Sequence, residues 1–255
     1  MREPKASVPS LVDFLSSLSY AQQVALTDNR RRERIVNLLD ALIGEEAANT
    51  FFTIVNDPDV PARLAETGAN WRKLASDIGH DGPVAWSVKH GFTLKKHAPE
   101  AGPCYEKWAY LQNWNLKNDE PTADSLVFFI PRIVGTTWKY AQEQVGILAD
   151  LRKQYQLPEN HLTSFGSAAL LAGLILANFK HKGERAPLNR CWVHTDTLDE
   201  GGNRLNLGHF NEAGLGCGDI RFWVNYRFGG SIGVFPLGIE PVGREYSSVV
   251  AGDYE

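Results

Sequence analysis

The stretch that decides the fold reads CWVHTDTLDEGGNRLNLGHF, from Cys191 to Phe210. Two runs of alternating polar and apolar residues flank a Gly-Gly pair, which is typical of a β-hairpin. The favoured two-residue turn needs positive φ at both central residues, so the glycines at 201–202 are predicted to form it. The pairing that follows from this turn would place His194 directly opposite His209.

One face of this predicted hairpin mixes apolar side chains with charge-bearing ones. Side chains alternate between the two faces of a strand, and a shift of one residue would exchange the faces. Matching of the apolar residues therefore favours one core face, formed by Trp192, His194, Asp196 and Leu198 with Leu205, Leu207 and His209.

Two imidazoles and a carboxylate on an apolar face require a chemical reason, because a buried carboxylate needs a partner or a metal. Opposed residues have Cβ atoms about 5 Å apart, so His194, Asp196 and His209 could converge on one point. Two histidines and one carboxylate form the ligand set of non-haem Fe(II) oxygenases. We therefore take these three as candidate catalytic residues and as candidate ligands of Fe(II) or another divalent metal. A metal-free proton-transfer cluster and a purely structural role are the alternatives.

Several other residues are candidates for substrate binding. Arginine suits a substrate carboxylate because its guanidinium group binds it in a bidentate manner, and Arg221 and Arg72 are the candidates of this kind. The chain has seven tryptophans, most of which should lie in the core. Trp192, Trp108 and Trp114 are the candidates for an aromatic pocket wall.

The composition excludes several classes of protein. The 255 residues carry a formal net charge of −4, which argues against nucleic acid or an anionic membrane as the main partner. The longest apolar run, Ala168–Phe179, is too short to span a bilayer, and the first ten residues hold no signal-like apolar segment. Three cysteines without CxxC spacing fit a reducing compartment, so a cytoplasmic location is expected.

The periodicity of the chain predicts one α+β domain over residues 1–255, with a weak sign of a boundary at 120–124. Helices are expected in the N-terminal region and before Gly79, and two more in mid-chain, the second capped by Thr163 or Ser164. Strands are expected within 82–94 and 125–133. The C-terminal third is predicted to be β-rich with two hairpins, so that helices cover a mostly antiparallel sheet.

These observations predict an enzyme that acts on a small, aromatic or carboxylate-bearing metabolite. In the metal form it would be a mononuclear oxygenase. In the metal-free form, acid–base groups would catalyse a condensation, cyclisation or isomerisation. A non-catalytic binding module is the third interpretation, and a homodimer stays open. The chain contains no P-loop, no GxSxG and no HExxH motif.

Overall fold

The computed structural model describes residues 51–134, 141–219 and 231–241. The chain divides into two compact units, Met1–Leu42 and Ile43–Glu255. The first unit lies outside the described residues, as do the helices predicted there, and the proposed boundary at 120–124 falls inside the second unit. The strand predicted after Asp219, its turn at 229–230 and the candidate Arg221 also lie outside the described residues.

Helices and strands alternate irregularly along the described residues. The α-helices are α1 (Ala65–Asp77), α2 (Leu94–Ala101), α3 (Ala141–Gln154) and α4 (Ala168–Lys182). Shorter 3₁₀ segments cover Asp57–Asp59, Ala62–Leu64 and Tyr105–Asn113. The strands are β1 (Phe52–Ile54), β2 (Ala85–Val88), β3 (Ser125–Phe129), β4 (Cys191–Leu198), β5 (Arg204–Asn211), β6 (Gly214–Asp219), β7 (Ser231–Gly233) and β8 (Leu237–Pro241).

The strands form two four-stranded sheets. The first has the order β1-β2-β3-β8 and the second the order β6-β5-β4-β7. Every pairing of neighbouring strands in these sheets is antiparallel except that of β4 with β7, which is parallel. The predicted α+β class, with mostly antiparallel sheets and a strand-rich C-terminal third, is confirmed.

Strand β3 is buried on both faces, which explains its uninterrupted apolar sequence. Phe128 belongs to a core cluster shared with Trp71 of α1 and Leu148 of α3. Val127 and Phe129 belong instead to a larger cluster that includes most of α4. The first sheet therefore separates two cores.

Helix α4 is buried continuously from Ala168 to Asn178, as expected for a helix that is apolar all round. It contacts β1 of the first sheet, β4 and β5 of the second, and α2. Its N-cap is Ser167, whose side chain accepts a hydrogen bond from the backbone N–H of Leu170 at 3.2 Å. The predicted cap, Thr163 or Ser164, is therefore wrong, and the helix begins later because the backbone N–H groups of residues 165 and 166 are bound to β4.

A close approach fixes β1 to α4. A Cβ atom at Gly173 would lie 2.0 Å from the ring of Phe52, so only glycine allows this contact. No helix in the described part of the chain is long and apolar enough to cross a membrane.

Candidate functional site on the β4–β5 hairpin

The predicted hairpin is present, but its strands pair in a different register. Val193 lies opposite Leu207 and His194 lies opposite Asn206, whereas the turn-based prediction placed His194 opposite His209. The two imidazoles are therefore not cross-strand neighbours.

The loop explains why the predicted register is wrong. The backbone N–H and the side-chain amide of Asn203 both donate to the carboxylate of Asp199, at 2.7 and 2.9 Å. The Asp199 N–H also donates to the Asn203 carbonyl, so this pair closes a loop over residues 200–202 in place of a two-residue turn. A further irregularity in β4 between His194 and Leu198 adds to the shift.

The core face of β4 is also the opposite of the predicted one. Val193, Thr195 and Thr197 are fully buried, while His194 and Asp196 are half-buried on the other face. The threonine hydroxyls are compatible with the core because they have acceptors: Thr195 donates to the Leu205 carbonyl and Thr197 to a carbonyl in the loop before β3. On β5, Leu205 and Leu207 are buried as predicted, and so is Trp192 on β4.

The imidazole of His194 is oriented by a hydrogen bond at only one of its two ring nitrogens, among the described residues. Its Nδ1 lies 2.8 Å from Oδ1 of Asn206, and the Nδ2 group of Asn206 donates to the Arg204 carbonyl at 3.1 Å. Since Nδ2 is used as the donor to that carbonyl, Oδ1 is the acceptor that faces the imidazole. The neutral ring therefore carries its proton on Nδ1 and has a lone pair on Nε2.

Burial lowers the pKa of His194, and the positive charge of Arg204 acts in the same direction. The hydrogen bond to Asn206 and the charge of Asp196 oppose this lowering of the pKa but do not outweigh it. The neutral imidazole is therefore favoured at pH 7.

Asp196 does not face the core. Its carboxylate connects β4 to the segment that contains Phe165 and Gly166 and to Arg204 of β5. One carboxylate oxygen accepts the backbone N–H groups of Phe165 and Gly166, at 3.0 and 2.9 Å, and the other lies 3.0 Å from Nη1 of Arg204. The Arg204 guanidinium lies over the ring of Phe165, 5.1 Å from its centroid. The His194 ring packs against the same phenyl group at 5.5 Å. His194, Asp196 and Arg204 thus form one cluster around Phe165, which we call the His194 cluster.

His209 lies outside the His194 cluster. It occupies an irregularity in the β5–β6 pairing, with a φ of 49°, and its ring packs on Trp192 at 4.9 Å. Burial lowers the pKa of His209 as well. Within the described residues, no three His, Cys, Asp or Glu side chains are grouped to hold a metal ion, and His209 packs on Trp192 while His194 packs on Phe165.

The remaining candidates occupy three kinds of environment. Arg72 forms an ion pair with Asp57 at 2.5 Å and lines a cavity of about 750 Å³ beside β1. Trp108 is fully buried and donates to the Leu215 carbonyl at 2.7 Å, as a core residue does. Trp114 is half-buried against Tyr110.

A second histidine, His161, is fully buried and was not among the residues that the sequence pattern indicated. Its Nδ1 accepts the indole N–H of Trp71 at 3.0 Å, and its Nε2 lies 2.9 Å from a carboxylate oxygen of Glu240. Burial lowers the pKa of His161, although the charge of Glu240 opposes this. Both partners are distant in the sequence, Trp71 by 90 residues, so no local pattern could have predicted this arrangement.

Buried cysteine is not a candidate nucleophile in the second sheet. The glycine-rich segment around Cys217 is the buried strand β6. Burial raises the pKa of the Cys217 thiol, so the reactive thiolate is disfavoured at pH 7.

Comparison with known proteins gives no functional assignment. No protein-family model matches the chain, and neither the curated proteins nor the solved structures give a significant match.

Proposed function

We propose that this chain is a metal-free acid–base enzyme that acts on a small carboxylate-bearing molecule at the His194 cluster. The observation that carries the proposal is the orientation of the His194 ring. Asn206 binds the Nδ1 side at 2.8 Å, which leaves the Nε2 lone pair available to accept a proton. A histidine oriented by a neighbouring side chain is the arrangement that general bases use.

Arg204 supplies the group that would bind the substrate carboxylate. Its Nη1 already contacts Asp196 and the Thr195 carbonyl, both at 3.0 Å. Its side chain is 38% exposed, and its remaining nitrogens make no other hydrogen bond to the described residues. Asp196 and the Phe165 ring hold the guanidinium in place, so that it can bind an incoming carboxylate without first becoming ordered.

The two groups then have separate roles. Arg204 orients the substrate, and Nε2 of His194 removes a proton from a bound water molecule or from an acidic position of the substrate. The positive charge of Arg204 stabilises negative charge that develops on the substrate. Asn206 keeps the proton acceptor in one tautomer, and Asp196 is a positioning residue for Arg204.

The test uses two ester probes because the natural substrate is undefined. With His194 as the base, Nε2 takes a proton from the attacking water, hydroxide adds to the acyl carbon, and p-nitrophenolate leaves. The carboxylate of mono-p-nitrophenyl succinate also attacks its own ester carbonyl without protein, so the protein-free rate is subtracted for each ester. We expect the remaining protein-dependent hydrolysis to be faster for the succinate ester than for neutral p-nitrophenyl acetate. His194→Gln should reduce the protein-dependent rate with both esters about ten-fold or more.

His209→Gln is the matched control, because His209 is a partly buried histidine on the paired strand outside the His194 cluster. It should leave both rates unchanged. Arg204→Gln should remove the preference for the succinate ester while retaining hydrolysis of the acetate ester. Equal rates for His194→Gln and the unmodified protein would refute the proposal.

A further inference from the structure

The proton acceptor and the carboxylate-binding group of the His194 cluster lie against the same side chain. The centre of the Phe165 ring is 5.1 Å from the guanidinium carbon of Arg204 and 5.5 Å from the centre of the His194 ring. Phe165 is itself 2% exposed, and its backbone N–H donates to the carboxylate of Asp196. A fixed apolar ring therefore holds both groups at one place on the hairpin.

The hairpin fixes the same two groups through its backbone. His194 lies opposite Asn206, and Arg204 precedes Asn206 by two residues, which places Arg204 on the same face of β5. The side chain of Asn206 connects them, since its oxygen faces Nδ1 of His194 and its amide donates to the Arg204 carbonyl. Diagonal neighbours in a sheet are about 7–8 Å apart, so a change of charge at Arg204 acts on the imidazole.

Two charged side chains of the described residues act on the imidazole. Arg204 lowers the pKa of His194 and Asp196 raises it, and the effect of Arg204 is the larger of the two. Phe165 and Gly166, which contact the cluster from the segment before α4, carry no charge. Arg204 and Asp196 form an ion pair, with Nη1 3.0 Å from the carboxylate. The cluster therefore has no net charge while the imidazole is neutral, and a bound carboxylate would make it net negative.

We infer that a carboxylate bound at Arg204 makes His194 a stronger base, so that anion binding and proton uptake by the imidazole are coupled. The added negative charge favours the imidazolium form, and by linkage the imidazolium form favours anion binding by the same factor. The substrate thus activates the group that removes the proton, whereas a molecule without a carboxylate does not. This inference rests on the proposed function and adds substrate-dependent regulation to the same site.

Butyrate is the probe, because it carries a carboxylate and has no ester bond to cleave, and butyramide is its neutral analogue. Binding is followed at the Arg204 Nε–H resonance, which is identified by its loss in Arg204→Gln. Protonation is followed by long-range ¹H–¹⁵N correlations of the His194 ring, with the ionic strength kept constant by chloride because salt screens exposed charges.

Saturating butyrate should raise the pKa of His194, and butyramide should leave it unchanged. The Kd of butyrate should be about three-fold lower below this pKa than above it. His209 is the internal control, because burial lowers its pKa as well and its ring packs on Trp192, outside the His194 cluster. The pKa of His209 should not respond to butyrate.

Two arginine variants locate the anion. Arg204→Gln should abolish the response of His194 to butyrate. Arg185→Gln is the matched control and should retain the response, because the Arg185 guanidinium lies over the rings of Phe179 and Phe210 instead. A response that persists in Arg204→Gln would overturn the inference that the anion acts from Arg204.

The coupling itself is overturned if butyrate leaves the Arg204 resonance unmoved, or if it binds there without raising the pKa of His194. Failure of the proposed function gives a different result. His194→Gln would then hydrolyse both esters at the rate of the unmodified protein, while butyrate still raised the pKa of His194 in the unmodified protein.

Discussion

Two histidines in this molecule, His161 and His194, differ in how deeply they are buried and in the contacts of their ring nitrogens. His161 is fully buried, and both of its ring nitrogens face a partner, the indole of Trp71 and the carboxylate of Glu240. His194 is half-buried, and its Nδ1 faces the amide oxygen of Asn206 while its Nε2 has no hydrogen-bond partner among the described residues.

From this difference we infer a stabilising role for His161 and a proton-transfer role for His194. A ring that is fully enclosed between Trp71 of α1 and Glu240 of β8 can connect these elements, but no substrate can reach either of its nitrogens. A ring with one nitrogen oriented and the other available can exchange protons. The predictions below test this division, beginning with the largest expected effect.

His161→Ala should be the most destabilising of these changes. It leaves the buried indole N–H of Trp71 without its acceptor, removes the ion-pair partner that lies 2.9 Å from the Glu240 carboxylate, and opens a cavity. We expect the free energy of unfolding to fall by about 3 kcal/mol. Urea denaturation measures this loss, and Trp71→Phe, which removes only the donor, should cost less. A loss below about 1 kcal/mol would refute the structural role.

The stability of the protein should also fall at acidic pH. The pKa values of His161 and His194 are lowered by burial from their ordinary value of 6.5. Below pH 6.5 the unfolded chain therefore binds more protons than the folded one, so stability is retained above this pH and lost as the pH falls towards the lowered values. His161→Ala should make the dependence between about pH 7 and pH 5 shallower in denaturation experiments. An unchanged slope would contradict the contribution of His161.

Asp196→Asn tests the contacts that support the His194 cluster. The amide keeps an oxygen for the N–H groups of Phe165 and Gly166 but loses the ion pair with Arg204. Because both partners are more than one third exposed, we expect a loss of about 1 kcal/mol or less in the free energy of unfolding. The preference for the succinate ester should decrease, since Arg204 is no longer held in place. An unchanged preference would show that Asp196 does not position Arg204.

His194→Gln should have the smallest effect on stability. The side chain is half-buried and makes a single hydrogen bond to the described residues, so the expected loss is about 0.5–1 kcal/mol by urea denaturation. A small loss in the free energy of unfolding, together with loss of ester hydrolysis, would assign His194 a catalytic role rather than a structural one. A loss as large as that of His161→Ala would remove the contrast between the two histidines.

The spacing of apolar residues along the sequence correctly predicted the positions of several helices and strands. The apolar run of β3, the helix α4 and the hairpin of β4 and β5 all lie where their patterns indicated. The α+β class followed from the order of these segments.

The register of the hairpin depended on interactions that the pattern does not contain. The carboxylate of Asp199 closes a loop one residue longer than the glycine pair suggested. Thr195 and Thr197 enter the core because acceptors outside β4, one of them in a distant loop, satisfy their hydroxyl groups. The predicted convergence of His194 with His209 was therefore wrong. His194 and Asp196 do lie in one cluster, but on the face of β4 that packs against Phe165 rather than on the predicted core face.

The most direct test of the proposed function is the protonation of the His194 ring, measured by long-range ¹H–¹⁵N correlation NMR with His194→Gln for assignment. We predict a neutral ring at pH 7 with the proton on Nδ1 and none on Nε2, and a pKa below 6.5. A ring that carries its proton on Nε2, or that is charged at pH 7, would contradict the assignment of His194 as the proton acceptor.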